Sequence, residues 1–88
     1  MKVWLVGWAG YDTSKTECVC LSEVTALKRW EEVRNELIEE ANKMIRYCMD
    51  AGYSFEGWKE QIRLLIELNP GESCKCDHPT IEEMEAEA

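Results

Sequence analysis

Lys2-Val3-Trp4-Leu5-Val6-Gly7-Trp8-Ala9 is the stretch on which the fold turns. Side chains of a strand alternate between its two faces, so Val3 and Leu5 share one side while Trp4, Val6 and Trp8 share the other. Both sides are apolar, the pattern of a central strand covered on both faces. Gly10-Tyr11-Asp12-Thr13-Ser14 is a run of turn formers, and Thr16 to Leu21 supplies a second strand, so residues 1–21 read as an antiparallel β-hairpin. In that second strand Val19 and Leu21 share one face and Cys18 and Cys20 the other.

Working outward, Ser22 has the chemistry of an N-cap. Leu27, Trp30, Val33, Leu37, Ala41, Met44, Ile45 and Cys48 then recur at steps of three and four. The expectation is a long amphipathic helix over 22–51, stopped by Ala51-Gly52, which outreaches a three-stranded sheet. Ser54 is the expected cap of a second helix over 54–69, with Phe55, Trp58, Ile62, Leu65 and Leu68 as its stripe and Asn69-Pro70-Gly71 as its stop. The loop Glu72-Ser73-Cys74-Lys75-Cys76-Asp77-His78-Pro79 leads into Thr80-Ile81-Glu82-Glu83-Met84-Glu85-Ala86-Glu87. This tail reads as a short edge strand in preference to an acidic helix begun by Pro79. The predicted fold class is therefore α+β: a β-hairpin, two helices of which one is long, and a short third strand, with the helices packed on one face of a small sheet.

Eighty-eight residues leave room for one domain, 1–88, and one core. A hydrophobic content of 45%, with four Trp, three Tyr and one Phe, exceeds that of a disordered chain. Ten basic against 18 acidic side chains give a net charge of −8, which repels nucleic-acid backbones and argues against general nucleic-acid binding. The same excess suits a basic protein surface. No stretch has the ~20 apolar residues of a membrane span, and the opening lacks a signal peptide's long apolar region, so the expected location is the cytoplasm.

The Lys2-Val3-Trp4-Leu5-Val6 strand, the short hairpin, the Ser22-initiated helix and the Ile81-Glu82-Glu83-Met84-Glu85 tail together resemble small accessory proteins of phages and prophages. The resemblance covers residues 1–30 and 80–87; the second helix and the paired cysteines depart from it. It implies a tail that returns as a strand beside the first, a bacterial host cytoplasm, and inhibition of a host defence system. That inhibition would come from stoichiometric binding to a host protein or from sequestering a nucleotide signal. It brings no catalytic residues with it.

Five cysteines without an export signal argue against a disulfide framework. Cys18, Cys20, Cys74, Cys76 and His78 offer five ligands for a four-coordinate zinc ion, but one-residue gaps are narrower than the two to four residues of a zinc knuckle. Inert reduced thiols are the reading taken, with zinc and disulfides as its alternatives, and no cofactor is assigned. Cys48 falls on the long helix's apolar stripe as a small hydrophobe. The one imidazole, His78, stands two residues from Cys76 in an acidic neighbourhood, a poor setting for an activated thiolate. No phosphate-binding glycine loop is present, and the carboxylates of the long helix alternate with Arg34, Lys43 and Arg46 as on a solvated face. The chain reads as a non-enzymatic binding protein.

Two helices on one face of a small sheet leave the other face of the first strand bare. Either the tail and cysteine loop fold over it, or a second copy does, and the expectation is a homo-oligomer, most simply a dimer. The partner-binding candidates are Trp4, Trp8, Tyr11, Glu32, Glu36, Glu39 and Glu40. The alternative, a nucleotide held at the oligomer junction, uses Lys2, Trp4, Trp8, Lys28, Arg29 and Lys59. Trp30 and Trp58 read as helix core, and Tyr11 as a solvent-facing turn residue.

Overall fold

The computed structural model describes residues 1–86. Glu87, assigned above to the tail, lies outside the described residues. Five elements follow one another: β1 (Lys2–Ala9), β2 (Ser14–Cys20), α1 (Glu23–Ala51), α2 (Glu56–Glu67) and β3 (His78–Glu85). The sheet order is β2-β1-β3 and both pairings are antiparallel, so the opening stretch is the central strand and the tail is an edge strand beside it. This is the expected α+β arrangement.

Local chemistry explains most boundaries. Gly10 N–H donates to the Thr13 carbonyl at 2.7 Å, closing the hairpin turn one residue before the expected Ser14, which instead begins β2. Opposite Val6 and Gly7 the register of β2 slips by one residue, a β-bulge at Glu17. Gly7 is what allows it: a Cβ there would sit 1.8 Å from the Lys15 carbonyl oxygen. Gly7 thus belongs inside β1, where backbone meets backbone. Ser22 caps α1 as expected, its hydroxyl accepting from Thr25 N–H at 3.2 Å, and Gly52 ends the helix at φ 77°. At α2 the expected cap fails: the N-cap is Phe55 with no side-chain hydrogen bond, and the helix occupies 56–67 within the expected 54–69. The Phe55 carbonyl accepts from both Trp58 and Lys59 N–H, so the turn closes on backbone alone.

The core lies between the sheet and the first half of α1. Val6, Cys20, Ala26, Trp30, Val33 and Leu68 form it, and Trp4, Trp8, Cys18, Leu37, Cys74 and Ile81 pack around them. Ala26 rather than Leu27 starts the helix's buried stripe; Leu27 sits on its flank. Trp30 is the largest fully buried side chain, and its indole N–H meets no acceptor among the described residues. Desolvating that donor costs about 1–3 kcal/mol, which burial of the ring's large apolar surface offsets. The Arg34 guanidinium lies 5.0 Å from the Trp30 ring centroid and donates to the Leu68 carbonyl. That bond sets the end of α2 against the sheet-proximal part of α1, so α2 runs back along α1 as an antiparallel helical hairpin. Beyond the sheet, Ala41 and Cys48 of α1 and Leu65 of α2 are the buried residues. The molecule measures 55 × 24 × 19 Å.

Candidate functional site: an uncovered sheet face and an acidic helix face

The register assigns every strand residue to a face. Trp4, Val6 and Trp8 stand opposite Cys20, Cys18 and Lys15 on one side, and opposite Glu83, Ile81 and Pro79 on the other. Because Val6, Trp4, Trp8, Cys20, Cys18 and Ile81 all join the core cluster, this is the face that α1 covers. The two tryptophans put forward as partner contacts or base-stacking groups are thus spent on the protomer's own core.

The opposite face carries Val3, Leu5, Val19 and Met84, with Val19 paired to Leu5 and Met84 to Val3. Val19 is 58% exposed and Met84 43%. Leu21, one residue past β2, is exposed at its rim, as is Met1, whose ammonium group is tied to Glu85 at 2.8 Å. Thr16 and Thr80 flank Gly7. Among the described residues the one charged side chain there by register is Glu82, beside Leu5, and no lysine or arginine takes a position on this face. The tail is the edge strand expected, so it does not fold over β1, and among the described residues nothing in the protomer covers this face. An antiparallel sheet facing water on one side normally turns polar residues to it; here Thr16, Thr80 and Glu82 share that side with the apolar Val3, Leu5, Val19 and Met84.

The second surface is the outer side of α1. Glu32 and Glu36, with Glu17 of the bulge, converge on Arg29 at 3.0, 3.3 and 3.1 Å. Hydrogen bonding to Glu32 and then the Glu36 charge hold that guanidinium more firmly protonated than usual. Glu39 and Glu40, one turn further, are exposed, and no ion pair among the described residues engages them. Tyr11 is 99% exposed at the hairpin turn, as its position implied.

The cationic candidates are not brought together. Arg29 is occupied by three carboxylates, Lys2 pairs with Glu83 at 3.1 Å, and Lys59 lies over the Phe55 ring at 4.8 Å. Lys59 opens α2 at the far end of the helical hairpin, roughly 25 Å along the axis from Lys28 and Arg29. No pocket opens among the described residues.

Nor are the ligand candidates. Cys18 and Cys20 sit on β2 with their sulfurs 3.8 Å apart, whereas Cys74 and Cys76 lead into β3 and His78 begins it, with β1 between the two strands. No group of three or more metal-ligating side chains forms among the described residues. Burial, then the Cys18 thiol, pushes the Cys20 thiol upward, and burial, then Cys74, does the same to Cys76. The buried His78 directs Nδ1 at the Cys76 carbonyl oxygen, 2.8 Å away, and not at a thiol. Both shifts favour the thiol over the thiolate at Cys20 and Cys76. No helix among the described residues is long and apolar enough to cross a membrane.

No family model matches the chain, and no curated protein or solved structure does either.

The sequence reading named the acidic helix residues and, for the apolar patch, Trp4 and Trp8, which the fold turns toward α1; the exposed Val19 and Met84 were not among its candidates. The alternation that separates Val3 and Leu5 from the tryptophans was visible; which set the helix takes was not.

Proposed function

We propose that the chain is a non-enzymatic accessory protein of the phage type that binds a host protein stoichiometrically and thereby inhibits a host defence system. The observation that carries this reading is the state of α1's outer side: Glu39 and Glu40 are exposed and, among the described residues, outside any ion pair at the point where the helix leaves the sheet, next to Glu32 and Glu36. Such a surface, on a rod that projects past its own sheet, suits a basic groove on a partner and steers association in a salt-dependent way. The acting form is a homo-oligomer, most simply a dimer. Neither a nucleotide held by Lys2, Lys28, Arg29 and Lys59 nor a zinc held by the cysteines has a comparable observation behind it.

The test is affinity capture from a bacterial lysate with the wild-type chain and with the double variant Glu39→Lys, Glu40→Lys, across a salt series. The expected result is a basic protein retained in stoichiometric amount at low salt, released as salt rises, and missing from the double variant. Identical retention by both chains overturns the assignment of this surface.

A further inference from the structure

We infer that the uncovered sheet face is the contact with a second copy of this chain, so that two protomers stack sheet on sheet as a four-layer sandwich with α1 outermost on either side. This deepens the self-association stated above and is independent of the host partner's identity.

Charge selects the occupant. The chain carries −8, yet among the described residues the face bearing Val3, Leu5, Val19 and Met84 has one carboxylate, Glu82, and no lysine or arginine, with the Met1 ammonium at its rim neutralised by Glu85. A basic partner finds nothing to neutralise there beyond Glu82; a second apolar and nearly uncharged surface is its chemical match. Face-to-face stacking also solves the repulsion between two acidic copies. Stacked sheets lie about 10 Å apart, so the two α1 helices with their exposed glutamates end up roughly 30 Å from one another, several times the ~8 Å screening length at physiological salt. Association through the helices would instead press Glu39 and Glu40 of both copies together.

The sheet itself has a footprint of roughly 350 Å², to which Met1 and Leu21 add a rim. The contact is therefore at the small end of specific interfaces and its dimer is concentration-dependent.

Native mass spectrometry and light scattering of the full, reduced chain over a dilution series from about 1 to about 100 µM test this. The expected mass rises from 10.2 kDa to about 20 kDa within the series. Val19→Lys and Met84→Lys, both at exposed positions of edge strands, each weaken the dimer at least about tenfold by placing a charge in the contact. Both lower the net negative charge, so the loss cannot come from general repulsion. Glu39→Lys with Glu40→Lys leaves the dimer intact. A readout on the unaltered chain accompanies the variants: peroxide oxidation of Met84, relative to Met49 on the distant part of α1, slows as concentration rises. A monomer throughout the series overturns both self-association and the assigned face. A dimer that tolerates both lysines, or a Met84-to-Met49 ratio independent of concentration, overturns the face alone.

Discussion

Cys20 shows how a residue's surroundings set its chemistry. It is a small thiol on an edge strand, yet the helix above it makes it part of the core, and desolvation raises its pKa, with the Cys18 thiol 3.8 Å away adding to the rise. In the unfolded chain the thiol ionises at its ordinary value, about 8.5, while the folded chain retains the proton to higher pH. The stability it contributes is therefore fully present below that ordinary value and is lost as pH climbs from there through the raised one. Chemical denaturation between pH 7 and about 10 is expected to show declining stability, and Cys20→Ala to flatten the decline relative to its own neutral value. An unchanged slope in the variant would show that the dependence arises elsewhere. Trp4 and Trp8 make the complementary point, since their ring size drew them toward a binding role while the same size makes them the cover of the core that Val6 and Trp30 occupy.

At the scale of elements, the bulge between β1 and β2 decides which β2 side chains reach the helix. Without the one-residue slip at Val6 and Gly7, Glu17 would stay in the ladder; as the bulge residue it reaches Arg29 on α1 at 3.1 Å. The slip depends on the close approach of the Lys15 carbonyl to Gly7. Gly7→Ala is expected to cost about 2–3 kcal/mol, because backbone and not a flexible side chain occupies the space its methyl group needs. Urea unfolding measures this; a cost within about 0.5 kcal/mol of zero would mean the strands separate easily there. The helices followed their sequence signals where residue type makes the boundary, by a hydroxyl at Ser22 and by left-handed backbone at Gly52. They departed where it does not: α2 begins at Glu56 because the Phe55 carbonyl takes two N–H donors, leaving Ser54 without a capping role.

For the whole molecule, strand order is the decisive fact. With β1 between β2 and β3, Cys18 and Cys20 stand on one side of the central strand and Cys74, Cys76 and His78 on the other, and no group of three or more of them gathers among the described residues. Addition of a chelator is expected to leave thermal unfolding unchanged, and a lowered melting temperature would restore the zinc reading. The same order keeps β3 at an edge, where Glu82, Glu83 and Glu85 discourage pairing with a further strand, and it withholds the tail from the open face. Elongation follows from α1: its 29 residues span about 43 Å, nearly twice the length of the strands, so the radius of gyration is 14.8 Å where a compact chain of this size has about 12 Å.

The sequence by itself determined the elements and their class, because period-two alternation in Lys2–Ala9, three-and-four spacing from Trp30 to Cys48, and the stops at Gly10 and Gly52 are local properties of the chain. It also determined that one side of β1 would want a cover from elsewhere, since a small sheet with helices on one face has another. Only the tertiary structure decided which side that is. Val3 with Leu5 and Trp4 with Trp8 are both apolar pairs, and nothing local distinguishes them. The choice is made when α1 places Ala26, Trp30 and Val33 against Trp4, Val6 and Trp8, and the strand register then carries Cys18, Cys20 and Ile81 to the same side, with Val19 and Met84 to the other. Long-range packing, which has no signature in nearest neighbours, thus drew the candidate site.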